Sequence, residues 1–172
     1  LQTTTGFISA DYMTWVPVLW SLMCIIMFFG ACAGSTTGGM KCIRIAIMSR
    51  VAKNEFKHII HPNAVLPVRI NRQVISSTTK SAVLAFTFLY IAIVFIGWIV
   101  LMIFGVGFEE AYSVVISSLG NVGPGIGKCG PSHSWSGLPD AAKWVSALLM
   151  LVGRLELFTV LLLFTPGFWK KH

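Results

Sequence analysis

The sequence predicts an all-α polytopic membrane protein, and three observations support this. The chain has 172 residues, of which 55% are hydrophobic and only 11% charged, too apolar a balance for an ordinary soluble domain. No charge falls between Asp11 and Lys41 or between Lys80 and Glu109. Each gap exceeds the roughly 20 residues that cross a hydrocarbon core. A short apolar segment, Glu110 to Ser118, runs into an uncharged glycine-rich stretch, Gly120-Asn121-Val122-Gly123-Pro124-Gly125-Ile126-Gly127. Lipid tolerates irregular backbone only where protein buries it or water reaches it, so this pair predicts a re-entrant helix and loop.

The chain opens on polar Leu1-Gln2-Thr3-Thr4-Thr5-Gly6-Phe7, without a basic leader before an apolar run. No signal peptide is expected, and the opening reads as a piece of something longer. The first span is expected from about Tyr12 to Phe29, with Pro17 near its start, where a missing N–H is tolerated. Gly30 to Lys41 then holds four glycines and three hydroxyl residues in Gly30-Ala31-Cys32-Ala33-Gly34-Ser35-Thr36-Thr37-Gly38-Gly39-Met40-Lys41, which cannot sustain a regular helix. Helicity resumes near Met40. Helices broken at bilayer depth are commonly tied to transport sites or gates. The same stretch lacks GK[ST], because Met40 precedes Lys41 and no Ser or Thr follows, so a phosphate loop is disfavoured.

Residues 52–77 form a connector. His61-Pro62 and Leu66-Pro67 stop any helix, and the alternation in Val68–Val74 predicts a short hairpin about Asn71-Arg72. The second span is Ala82 to Phe104, ended by Gly105-Val106-Gly107. Glu109 and Glu110 occupy the first turn of the short helix, where acids suit the dipole. Its negative C-terminal end faces the Gly120–Gly125 loop, which favours a cation there. Carbonyls of such a loop can replace a cation's hydration shell. After an exposed loop, Cys129 to Pro139, Asp140 is expected to cap the third span, Ala141 to about Phe164. Thr165-Pro166-Gly167 ends it, with Trp169, Lys170 and Lys171 as interfacial anchors.

The third span carries Arg154 and Glu156. An arginine in hydrocarbon costs about 3 kcal/mol on the lowest scale, so it must face water, a partner or a pore. Spacing alone leaves two readings open, an ion pair with another helix or a positive barrier in a cation path. The net charge of +7 is uneven. Lys41, Arg44, Arg50, Lys53, Lys57, Arg69, Arg72 and Lys80 lie between the first two spans, opposed only by Glu55. Flanking spans make this the positive-inside signal rather than a nucleic-acid patch, so residues 41–80 and the C-terminus are expected in the cytoplasm. Cys24, Cys32, Cys42 and Cys129 lack metal spacing and read as packing thiols. His58 and His61, near a membrane surface with no acidic or thiol ligand beside them, read as solvated.

Thr3-Thr4-Thr5-Gly6-Phe7, Gly34-Ser35-Thr36-Thr37-Gly38-Gly39-Met40-Lys41, Asn121-Val122-Gly123-Pro124-Gly125 and Gly153-Arg154-Leu155-Glu156 occur in one order over nearly the whole chain. Together they resemble the Trk/Ktr/HKT superfamily of potassium transporters, its Trk-type membrane subunits in particular. The resemblance implies four membrane–pore–membrane repeats around one pore, a potassium-channel-like architecture of re-entrant pore helix and filter loop. By it, residues 1–51 are the end of a third repeat, 52–80 a cytoplasmic connector, and 81–172 the fourth repeat. It implies a K+ filter from Thr4, Thr5, Gly6, Asn121, Val122 and Gly123, and a gate loop of Gly34, Ser35, Thr36, Thr37, Gly38 and Gly39. Arg154 matches the arginine that projects into the permeation path below the filter. Potassium is the implied transported ion, with no organic cofactor in this chain. The implied setting is the inner (cytoplasmic) membrane, with lipid, the protein's own upstream repeats, a homodimeric partner and cytosolic nucleotide-binding regulatory subunits as neighbours, and no nucleic acid. The missing repeats imply that this piece alone does not conduct. An intramembrane enzyme would need an acid–base pair or metal ligands at membrane depth, and none is visible. A structural or assembly subunit explains the spans but neither the glycine loop nor Arg154.

Overall fold

The computed structural model describes residues 4–6, 11–30, 38–62, 67–70, 73–155, 157 and 159–160. Helices dominate: α1 is Pro17–Phe28, α2 Cys42–Ile60, α3 Ser77–Ile103, α4 Phe108–Gly120 and α5 Asp140–Arg154. The predicted hairpin is present as a ribbon of two short antiparallel strands, β1 (Arg69–Ile70) and β2 (Gln73–Val74), in the register Arg69 to Val74 and Ile70 to Gln73. Asn71 and Arg72 lie outside the described residues.

Several helix ends have a local cause. Pro17 opens α1 at its first turn. The Ser76 hydroxyl accepts from the Thr79 amide and caps α3. At the other end Gly105, at φ +83°, turns the chain back, its amide donating to the Met102 carbonyl at 2.9 Å. Glu109 and Glu110 sit in the first turn of α4, as expected. Among the described residues only α3, 27 residues long, is by itself long and apolar enough to cross a membrane.

Two boundaries differ from expectation. The first span is not one helix from Tyr12: Tyr12–Thr14 form a separate 3-10 turn capped by the Asp11 carboxylate, and Pro17, lacking an N–H, starts a new helix. Asp140 does not cap α5 but is its first residue, after Pro139; its carboxylate meets Lys143 at 3.0 Å one turn along. Beyond Arg154 the chain turns at Leu155, with Leu157, Thr159 and Val160 again helical. Thr165 to Lys171 lie outside the described residues.

The short helix α4 is the hub, because α1, α3 and α5 all pack against it, while α2 packs on α3. Every residue from Ser113 to Gly120 is buried. In lipid, helices gain little from hiding apolar surface and depend on close packing through small residues. Gly97 of α3 is such a point: an added Cβ would meet Leu149 Cδ1 at 3.2 Å and Val115 at 3.4 Å. Tyr90 of α3, fully buried, packs edge-on against Phe28 with ring centroids 5.1 Å apart. The Thr87 hydroxyl reaches Met48 Sδ at 3.1 Å, and the Arg44 guanidinium lies 3.8 Å from the centre of the Phe86 ring, fixing α2 against α3.

Candidate functional site

The site is built on the C-terminal end of α4. Asn121 closes the helix in the left-handed region at φ +53°, and its side chain donates to the Met150 carbonyl of α5 at 3.1 Å. The next amides all turn back to α4. Asn121 N donates to Ser118 O at 3.1 Å, Val122 N to Ser117 O at 2.9 Å, and Gly123 N to the Ser117 hydroxyl at 3.1 Å. Further out, Ile126 N donates to the Ser113 hydroxyl at 3.0 Å, and the Tyr12 hydroxyl donates to Gly125 O at 2.5 Å. Donors are thus consumed on the helix side. Among the described residues no donor reaches the carbonyls of Asn121, Val122 or Gly123.

The N-terminal turn comes to the same place. Thr4 and Gly6 both have positive φ, +53° and +75°, and Gly123 has +107°. A Cβ added to Gly6 would lie 2.9 Å from the Val122 carbonyl oxygen and 3.9 Å from Pro124 Cδ. Thr5, Gly6, Val122, Gly123 and Pro124 line one open cavity of about 570 Å³, with His133 and Trp135 on its outer wall. Of the expected filter residues, these bring Thr5, Gly6, Val122 and Gly123 together; the Asn121 side chain is committed to α5.

The residues that lead into α2 reach the same helix end. A Cβ on Gly38 would sit 2.8 Å from Leu119 O, 2.9 Å from Gly120 O and 3.0 Å from Asn121 Nδ2. The segment has a neck: Gly30 N donates to Met40 O at 2.9 Å, Met40 N to Phe28 O at 3.4 Å, and the Cys42 thiol to Gly30 O at 3.1 Å. Gly39 holds φ +78° within this neck. Gly34, Ser35, Thr36 and Thr37 lie outside the described residues. Gly153 of α5 lies so close to the Leu119 carbonyl that no Cβ fits between them. Arg154, the next residue, is exposed at the end of α5. Glu156 lies outside the described residues.

Outside the spans, the Ser132 hydroxyl and then the Met13 amide hold the Asp11 carboxyl below its usual range. Burial, with Glu110 adding to it, pushes the Cys129 thiol up to about 11, so it stays protonated and packs, as expected of these cysteines. Among the described residues no three His, Cys, Asp or Glu side chains cluster as metal ligands.

Sequence reasoning missed the anchors. Ser113, Ser117 and Tyr12 hold the loop by hydroxyls, and Gly153 admits the Leu119 carbonyl. The available signal was Ser113 and Ser117, one turn apart on an otherwise apolar segment.

Comparison with known proteins agrees with this geometry. A family model described as TrkH, cation transport protein, matches residues 1–171. The chain is 40% identical over 171 residues to the Trk system potassium uptake protein TrkH of Halomonas elongata, covering 99% of this chain and 35% of that protein. It is 34% identical to the protein of the same name from Escherichia coli, again over 99% of this chain and 35% of the relative. The crystal structure of the potassium transporter TrkH from Vibrio parahaemolyticus superposes with a TM-score of 0.89 at 36% identity, covering 98% of this chain and 36% of that one. The chain therefore spans about a third of the length of the curated relatives it matches.

Proposed function

The chain belongs to the TrkH family of cation transport proteins, and from that premise we propose that it supplies two filter segments and one gating loop to a potassium-uptake pore. The observation that carries this reading is the meeting of the Gly6 turn with the Val122 carbonyl. Two turns more than a hundred residues apart in sequence line one open cavity, and the Val122 carbonyl oxygen lies beside the Gly6 turn. A ring of such oxygens replaces the water shell of a monovalent cation without a formal charge to trap it. Glycine at both turns supports potassium selectivity, because positive φ directs the carbonyls inward without the strain a Cβ would add. The negative end of α4 beneath the turns adds an attractive potential for the ion.

Below the filter, the loop from Gly34 to Gly39 acts as the gate, with Gly38 against the end of α4 and the Gly30–Met40 neck as its hinge. Arg154 is the positive barrier beneath it. In this assignment residues 1–51 close a third repeat, 52–80 connect in the cytoplasm, and 81–172 form the fourth repeat. The remaining filter segments come from the rest of the protein, which works as a homodimer in the inner membrane with nucleotide-binding regulatory subunits on its cytosolic side. Transport needs no organic cofactor on this chain and no catalytic group.

Potassium and sodium flux into liposomes containing the full-length parent tests the reading. Gly123→Ser should lower the preference for potassium over sodium about tenfold, equivalent to about 1.4 kcal/mol. Arg154→Ala should raise flux if the guanidinium obstructs the path. Unchanged selectivity in the first variant would reject the filter, and unchanged flux with lowered stability in the second would return Arg154 to an ion pair.

A further inference from the structure

We propose that the cytoplasmic end of α2 and the β1–β2 ribbon form a binding site for the phosphodiester headgroup of an anionic phospholipid in the inner leaflet. Arg50, Lys53 and Lys57 of α2 and Arg69 of β1 line an open cavity of about 520 Å³, with Phe56 and Val68 in its wall. No acid lines it. The Arg50 guanidinium donates to the Arg69 carbonyl, which ties the ribbon to the helix and places two arginines side by side. At about 100° per residue, Arg50, Lys53 and Lys57 fall within about 60° of one another on α2, and Glu55 points roughly 160° away from both lysines. The acid of this segment therefore does not neutralise the cationic face.

Depth identifies the ligand as a lipid. The contact between Met48 and Thr87 sets α2 against α3. Counting along each axis at about 1.5 Å per residue, Lys53 lies about 7.5 Å and Lys57 about 13 Å past that contact toward the C-terminus of α2, and Lys80 about 10 Å past it toward the N-terminus of α3. The cavity therefore belongs to the charged end of the α3 apolar stretch. Phe56 and Ile60 lie within about 60° of Lys53 on the same helix and are 69% and 70% exposed. Cations beside an exposed apolar edge at this depth match a molecule with a phosphate above and acyl chains beside it. Free phosphate would use the cations but leave the apolar edge without a partner.

The inference does not depend on the transport reading, because its test measures retention of lipid and not flux. Full-length parent protein in neutral detergent is mixed with phosphatidylglycerol, phosphatidylcholine or inorganic phosphate, and bound lipid is counted by native mass spectrometry. Phosphatidylglycerol should be retained at least about tenfold over phosphatidylcholine, and about 1 M salt should abolish the preference in the unaltered protein by screening. Lys53→Gln with Lys57→Gln should bring retention down to the phosphatidylcholine level, while Lys143→Gln, on the opposite side of the membrane, should leave it unchanged. Equal retention of the two lipids overturns the proposal, as does a salt-insensitive preference. Inorganic phosphate that displaces phosphatidylglycerol at equal concentration would assign the site to the free anion. Loss of a cytosolic protein partner in the double variant, with lipid retention intact, would assign the face to that partner.

Discussion

At the scale of single residues, the site uses glycine for two different reasons. At Gly6 a side chain would strike the Val122 oxygen, whereas at Gly123 nothing lies within 4 Å of an added Cβ and only the φ of +107° is restrictive. Gly123→Ala should therefore act through the backbone alone, costing about 1–3 kcal/mol of strain. Gly6→Ala adds a steric push against the Val122 carbonyl and, on the proposed filter, should disturb selectivity more, as measured by the ratio of potassium to sodium flux. Ser117→Ala leaves the Gly123 amide without its acceptor. The cost is about 1–3 kcal/mol, readable as a lower unfolding midpoint in detergent together with reduced selectivity. Cys129, with its thiol near 11, should hold only about one part in a thousand thiolate at pH 8. Its alkylation rate should rise about tenfold per pH unit up to that value; a plateau near pH 8.5 would mean the thiol is not desolvated.

At the scale of elements, α4 explains why a short helix can hold the centre of the structure. It is too short to cross the bilayer, so its C-terminal carbonyls end inside protein and need neighbours. Gly38 and Gly153 provide them by approaching within the space a methyl group would occupy. Gly30→Ala would bring a Cβ to 2.7 Å from Gly38 O and spread the neck between α1 and α2. We expect it to alter the open fraction in single-channel or flux recordings, while Phe88→Leu, on a face 77% exposed, should do nothing measurable. The element pattern was largely legible from charge gaps and glycine punctuation. Pro17, Gly105 and the acids of α4 act where the sequence places them. The split of the first span was not legible, because Pro17 is tolerated in the first turn of a helix and so reads equally as a position inside one span or as the start of a new helix after the Asp11-capped turn.

At the scale of the molecule, large apolar side chains stand exposed on the described surface of three helices. Val18, Phe88, Ile103 and Trp144 are between 74% and 79% exposed, on α1, α3 and α5. Charged substitutions on the faces that meet lipid should cost about 2.5–3.5 kcal/mol near mid-membrane, whereas those that meet other repeats should also block assembly. Comparing Phe88→Lys with Val18→Lys for membrane insertion and for dimer recovery separates the two kinds of face. Local composition marked the long apolar helix α3 and the glycine loop that lines the cavity. It could not reveal that the turn at Gly6 touches Val122, or that Gly153 meets Leu119, because such contacts join segments far apart in the chain and leave no periodicity.

The positive-φ glycines and Gly153 also differ in handedness. A D-alanine installed by semisynthesis at Gly6 or Gly123 would find a dihedral angle natural to its mirror-image preference. Gly153 has no such angle, and its glycine is required by nearness to a neighbouring oxygen rather than by chirality. Swapping stereochemistry would therefore separate the part of this site that is written in torsion from the part written in distance.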